Sequence, residues 1–298
     1  MSIEVITIDQ RTVTYRVVSM PRDGTCLFHS LCYIWHDHIR LTLDIRRNIV
    51  SYVLNDWDRF KVWTDDGASG DKIIKGHEVK PHSRPYMAAL YAGKPQKFIC
   101  GGFLILPNYV LTAAHCKKDK IIVYLGSHNI SKKEMSRQMI PVQSSIPHEK
   151  YDRKTLANDI MLLKLKHKAK LTNKVRTIGI PKRDVPVWPG TICWVAGWGF
   201  TTENGKESSV LREVKVKVQA PCASASQICA RGAGIKGACE GDSGGPLVCP
   251  DNMKIPTAVG ILSFETDTCE NSLNKNIYVS VSAYREWIER KIKSSSSM

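Results

Sequence analysis

A histidine, an aspartate and a serine stand in three short segments whose residue types could carry nucleophilic chemistry. The segments are Leu111-Thr112-Ala113-Ala114-His115-Cys116, Asn158-Asp159-Ile160-Met161-Leu162-Leu163 and Gly241-Asp242-Ser243-Gly244-Gly245-Pro246. A serine hydroxyl is a weak nucleophile at neutral pH and needs a neighbouring base. An imidazole can take its proton and later give it to a leaving group. A carboxylate can fix the imidazole tautomer and stabilise its charged form. Glycines around a serine let the backbone fold tightly and aim N–H groups at a developing oxyanion. A separate candidate nucleophile is Cys26, in Asp23-Gly24-Thr25-Cys26-Leu27-Phe28-His29-Ser30. It would sit at a helix N-terminus, a placement that lowers a thiol pKa.

The elements that must position these residues fall into two textures. Residues 11–20 are rich in β-branched side chains and read as a strand, followed by a turn at Pro21–Cys26. Residues 26–37 look helical. Residues 41–60 repeat Ile45, Ile49, Tyr52, Val53 and Trp57 at helical spacing. Residues 64–71 read as a loop and a boundary. From Ile73 onward, short β-branched runs alternate with Gly, Pro, Asn and Ser turns, the pattern of an all-β barrel or sandwich. These runs include residues 121–125, 161–165, 214–218 and 259–263. A last helix is expected over 282–293, with Ser282 as N-cap and Tyr284, Trp287, Ile288 and Ile292 on one face. Residues 294–298 are expected to form a frayed tail. There is no internal repeat.

Composition narrows the function classes. The chain has 298 residues, 43% hydrophobic and 24% charged, ordinary for a globular protein with a sizeable core. No apolar run approaches the ~20 residues that span a bilayer, so no membrane partner is expected. Net charge is +15. Residues 1–72 carry 9 Lys and Arg against 10 Asp and Glu, and residues 73–298 carry 34 against 18. The excess points to contact with a polyanion such as a glycosaminoglycan, densest at Lys164, Lys166, Lys168, Lys170 and Lys174. No zinc-finger, RNA-recognition or basic-zipper pattern is present, so no sequence-specific nucleic-acid partner is expected. Two cysteines, Cys26 and Cys32, lie in the first part and eight in the second, which fits a disulfide framework and an oxidising compartment. There are no tight C-x-x-C pairs, and neither a metal nor a cofactor is expected. The first twenty residues contain no apolar core of a signal peptide.

Taken together and in the order His, Asp, Ser, the three segments resemble the chymotrypsin-like serine proteases. That order separates them from subtilisin-like and α/β-hydrolase arrangements. The resemblance covers residues 73–293 and is closest to granzymes and mast-cell proteases. It rests also on Ile73-Ile74-Lys75-Gly76-His77-Glu78, Cys100-Gly101-Gly102-Phe103 and Val195-Ala196-Gly197-Trp198-Gly199. It implies two six-stranded antiparallel β-barrels and a C-terminal helix. It implies His115 as base, Asp159 as its partner, Ser243 as nucleophile, and the amides of Gly241 and Ser243 as oxyanion donors. Cleavage after Lys72 would free the Ile73 amine to pair with Asp242. Lys75 departs from the family's usual Gly. The implied disulfides are Cys100–Cys116, Cys193–Cys249, Cys222–Cys229 and Cys239–Cys269.

The substrate pocket is implied in the same way. Gly237 stands at the pocket base, where trypsin-like members carry Asp. Ser263, Phe264 and Glu265 form a wall, with Glu265 in place of the usual Gly, and Asn276 falls at another wall position that is often Gly. Bulky polar groups there would narrow the pocket. Only six residues separate Cys222 from Cys229, where the family has a longer segment with a short helix.

Residues 1–72 resemble the front piece of an OTU-type cysteine protease domain, a small α+β fragment, through the Asp23–Ser30 motif. The His base of that family comes from a strand beyond this point, and His29, His36 and His38 do not match it. The implied organisation is an incomplete OTU-like fragment (1–72), a serine protease domain (73–293) and a tail (294–298). The implied function is a monomeric serine endopeptidase acting on proteins or peptides, secreted or stored in secretory granules. The alternatives are a non-catalytic protease-fold binding protein and an OTU-type deubiquitinase. Asn129-Ile130-Ser131 is a glycosylation sequon.

Overall fold

A computed structural model describes residues 3–8, 11–16, 76–182, 185–200, 207–219, 222, 224–233, 237–239, 241–251, 253–266 and 275–296. The chain divides into two compact units, Met1–Ser69 and Gly70–Met298. In the first, β1 (Ile3–Ile8) and β2 (Arg11–Arg16) form an antiparallel hairpin. Its second strand falls within the run expected over 11–20. The helices expected over 26–37 and 41–60, Cys26, the OTU-like motif and the Lys72-Ile73-Ile74-Lys75 junction lie outside the described residues.

The second unit is built from two barrels. The first closes in the order β4-β5-β6-β9-β8-β7, all neighbours antiparallel. Its strands are β4 (Met87–Ala92), β5 (Lys97–Leu106), β6 (Tyr109–Thr112), β7 (Ile122–Leu125), β8 (Gln138–Pro147) and β9 (Met161–Leu165). Leu90, Phe103, Leu104, Leu111, Val123 and Leu163 fill its interior and are fully buried. Completely burying side chains of this size contributes about 1.5–3 kcal/mol each.

The second barrel comprises β10 (Ile192–Gly197), β11 (Arg212–Val218), β12 (Gln227–Arg231), β13 (Pro246–Pro250), β14 (Pro256–Glu265) and β15 (Asn276–Ser280). The order β10-β13-β14-β15-β12-β11 closes through pairing of β10 with β11. In β11, Val214, Val216 and Val218 point into the core while Lys215 and Lys217 face solvent, the period-two alternation of a strand with one wet face. The short strand β3 (His77–Glu78) adds to β11, pairing His77 with Glu213 and Glu78 with Arg212. The Arg212 guanidinium also donates to the Gly76 carbonyl at 2.9 Å.

The chain ends in helix α1 (Arg285–Ser296), the one α-helix among the described residues, preceded by a 3-10 turn at Ser282–Tyr284. Trp287, Ile288 and Tyr284 are buried against the first barrel's core, with Ile292 packed beside them. This is the apolar face expected from the sequence. Two details differ. Ser282 is not an N-cap: its hydroxyl meets Ser280 Oγ at 3.1 Å, and the tighter turn absorbs the start of the helix. The tail does not fray at residue 294. The helix continues to Ser296, where the Ser295 carbonyl accepts a bond from Lys164 Nζ at 2.5 Å. A last-turn carbonyl has no partner within its own helix, and this cation supplies one. No helix among the described residues is long and apolar enough to cross a membrane.

Candidate active site

The two barrels meet where β5 touches the segment leading into β13. Gly101 on β5 donates its amide to the Ser243 carbonyl at 2.8 Å and accepts from the Thr112 hydroxyl at 2.8 Å. Thr112 ends β6, and the chain turns at once through a 3-10 turn, Ala114–Cys116, that carries His115. The Cys100–Cys116 disulfide ties this turn back to β5. Gly244 lies against the same seam with φ of 80°, and an added Cβ would stand 2.2 Å from Thr112 Oγ1 and 2.5 Å from the Gly101 carbonyl. Only glycine fits there, and its fit is what brings Ser243 beside the histidine turn.

Asp159 arrives on the connection between β8 and β9 and is fully buried. Three donors converge on its carboxylate. The His115 amide reaches Oδ1 at 2.8 Å, while His115 Nδ1 and Ser263 Oγ meet Oδ2 at 2.7 and 2.5 Å. A carboxylate surrounded by donors serves as acceptor to all of them, so the imidazole proton is held at Nδ1. The Nε2 lone pair is left to act as a base, and the His115 side chain is 26% exposed toward solvent. Ser243 is half-buried, and no hydrogen bond joins its Oγ to His115 Nε2 in this structure. Nucleophile–base bonds often tighten only when substrate is bound. The amides of Gly241 and Ser243 carry no hydrogen bond among the described residues, so both are free to donate. Gly241 has φ of 91°, a left-handed conformation open chiefly to glycine.

Ser263 was expected in the pocket wall. Its hydroxyl also faces Asp159 from across the barrel seam, 104 residues away in sequence. Phe264 and Glu265 are half-buried at the end of β14. Asn276 is 3% exposed, and its amide pairs both ways with one residue. Its Oδ1 accepts from the Ala238 amide and its Nδ2 donates to the Ala238 carbonyl, each at 3.2 Å. That Oδ1 stands 2.9 Å from where a Cβ on Gly237 would lie. Asn276 therefore stands against Gly237 as a neutral amide.

Asp242 is turned inward and 1% exposed. Its carboxylate accepts from the Gly199 amide at 2.8 Å and the Cys239 amide at 3.1 Å. It packs against Gly197, where an added Cβ would lie 2.1 Å from Oδ1. No cation pairs with it among the described residues. Burial pushes its pKa up to about 7, against the opposing pull of the two amides. A native-state pKa above the unfolded one means the folded chain holds the extra proton between about pH 4 and pH 7. The uncut chain should therefore lose stability from this group as pH rises through that window. Thermal melts of uncut chain at pH 5 and pH 7.5 check this. Asp242→Asn should narrow the difference between the two pH values, and an unchanged difference would refute it.

Disulfides join Cys100 to Cys116, Cys193 to Cys249 and Cys222 to Cys229. Cys239 is also disulfide-bonded, while Cys269 lies outside the described residues, as does Ile73.

Two barrels with a His–Asp pair on one and a glycine-flanked serine on the other define a serine protease of the trypsin fold. The trypsin family model matches residues 73–288, and the chain belongs to that family. It is 47% identical over 236 residues to granzyme B(G,H) of Mus musculus, covering 75% of this chain and 92% of that one. Mast cell protease 3 of Ovis aries is 42% identical over 233 residues, with 74% and 90% covered. The structure of neuropsin, a serine protease expressed in the limbic system of mouse brain, superposes with a TM-score of 0.66 at 32% identity. That superposition covers 73% of this chain and 99% of neuropsin. The chain is a granzyme-like serine endopeptidase whose substrates are proteins or peptides.

Proposed function

We propose that His115, Asp159 and Ser243 form the catalytic triad of this endopeptidase. The observation that carries the reading is the buried Asp159 carboxylate bonded to both the amide and the ring of His115. His115 Nε2 takes the Ser243 proton as Oγ attacks the scissile carbonyl. The amides of Gly241 and Ser243 receive the oxyanion, and His115 then protonates the leaving amine. Ser263 holds the second lone pair of Asp159 Oδ2. Cleavage at Lys72–Ile73 frees an amine for Asp242. What supports this step is a buried carboxylate with amide partners but no cation, an arrangement that an ammonium group would stabilise.

The pocket reading follows from Gly237 and Asn276. Among the described residues no carboxylate stands beside Gly237, and the Asn276 amide lies against it. A Lys or Arg side chain entering here would be buried without its counter-charge, at a cost of several kcal/mol. Small or medium neutral residues fit, and Glu265 stands near the pocket with Tyr278. A panel of peptides differing only before the scissile bond, incubated with chain cut after Lys72, tests both layers. Best cleavage after a neutral residue is expected, with aromatic cleavage gained in Glu265→Gly. Preference for Lys or Arg would overturn the pocket, and no cleavage of any peptide would overturn the triad.

Polyanion contact is a further part of this reading. Lys166, Lys168 and Lys170 are exposed along one stretch, while Lys164 is committed to α1. Secretion or storage in granules accords with the disulfide framework and the family, and the protein acts as a monomer. Residues 1–72 are read as an OTU-like fragment without a complete active site. What supports this is the Asp23–Ser30 motif behind a β-hairpin.

A further inference from the structure

We propose that Tyr284 is a positioning residue for the Asp159 carboxylate, acting through Asn158. The inference rests on the triad reading above. Asp159 sits at the centre of a three-residue turn closed by a bond from the Ile160 amide to the Asn158 carbonyl at 2.8 Å. Such a turn fixes the direction of its central side chain through its two ends. One end, Ile160, is fully buried in the first barrel's core. The other end, Asn158, has φ of 56°, a left-handed conformation that asparagine adopts more readily than most residues.

Asn158 has no apolar side chain to anchor it, so its place is set by hydrogen bonds. Its Nδ2 donates to the Lys150 carbonyl at 2.8 Å, and its Oδ1 accepts from the Tyr284 hydroxyl at 2.9 Å. The first bond is local to the loop and moves with it. The second comes from a residue 126 positions later in the chain. Tyr284 is 9% exposed, belongs to the same core cluster as Ile160, and stands on the turn leading into α1. The ring of His148 packs against it edge-on at 5.3 Å. Ser226 lines the same hollow as the phenol, and burial, with the charge of Asp159 adding to it, pushes the phenol pKa up. The tyrosine therefore ties the Asn158 end of the turn to the same core cluster that holds the Ile160 end. Among the described residues, the groups with a charge or proton to exchange around Asp159 are His115, Tyr151 and Tyr284, with His148 behind Tyr284.

Tyr284→Phe removes the hydroxyl and keeps the ring. In chain cut after Lys72, kcat should fall roughly three- to tenfold, the weight of one net hydrogen bond, with KM unchanged. A looser Asp159 stabilises the His115 imidazolium less, so the acid limb of the kcat/KM profile should move to lower pH. A merely structural loss would leave that limb in place. Asn158→Gly keeps the left-handed turn and loses both side-chain bonds. It should lower kcat at least as much, and adding Tyr284→Phe to it should cost nothing further. Wild-type kcat and pH profile in Tyr284→Phe would overturn the proposal. So would a loss that leaves the acid limb unmoved and adds to that of Asn158→Gly. Ser243→Ala sets the zero: a cut wild type no more active than that variant would sink the triad reading instead.

Discussion

Ser243→Ala in chain cut after Lys72 should lower kcat for peptide hydrolysis on the order of a millionfold, with the melting temperature nearly unchanged. The two halves of this expectation have separate physical causes. Ser243 Oγ makes no hydrogen bond among the described residues, and the backbone bond to Gly101 does not involve the side chain. Removing the hydroxyl therefore costs the fold little and the reaction its nucleophile. His115→Ala should cost a similar factor, and the double variant little more than either alone, because the pair acts as a unit. Initial rates on a good peptide substrate, paired with thermal melts, measure both halves. Near-normal turnover in Ser243→Ala would remove the serine mechanism.

Cleavage after Lys72 should raise kcat/KM by at least about a hundredfold, the weight of one oxyanion donor correctly held. Asp242 sets this expectation. Its carboxylate is buried beside Gly197 and Gly199, with its own backbone one residue from each oxyanion amide. Buried without a cation it favours its protonated form, whereas a neighbouring ammonium would favour the charged one. The charged pair would then fix the backbone on both sides of it, Gly241 and Ser243. Asp242→Asn should be cut normally at Lys72 yet gain little activity. Limited trypsin digestion with N-terminal sequencing and assay at each time point follows the change. Equal activity before and after the cut would defeat the activation account.

Much of this was legible in the sequence because it is local. The β11 alternation of valine and lysine shows in five consecutive residues, Val214 to Val218, and the runs at 161–165 and 259–263 mark β9 and the middle of β14. Each candidate triad residue sits in a short segment recognisable by itself, and the fold joins His115 to Asp159. What was not legible depends on distant residues. Ser263 reads as pocket wall by position, and only the fold shows that its hydroxyl meets Asp159. Asn276 reads as an obstruction, but only the fold reveals that Ala238 lies opposite and offers both a donor and an acceptor. The same holds for Tyr284, whose ring periodicity placed it on the helix face while its hydroxyl serves Asn158. At α1, Ser282 has the residue type of an N-cap, but the 3-10 turn shifts the helix start to Arg285. A side chain able to cap does so only if the backbone enters the helix at that residue.

The most direct test of the central claim is covalent labelling by a fluorophosphonate, a reagent that captures an activated serine hydroxyl. Chain cut after Lys72 should take up one label per molecule, and peptide mapping should place it on Ser243. Uncut chain, His115→Ala and Ser243→Ala should take up little or none. Label on another residue, or an unlabelled cut chain with its fold intact, would contradict the account.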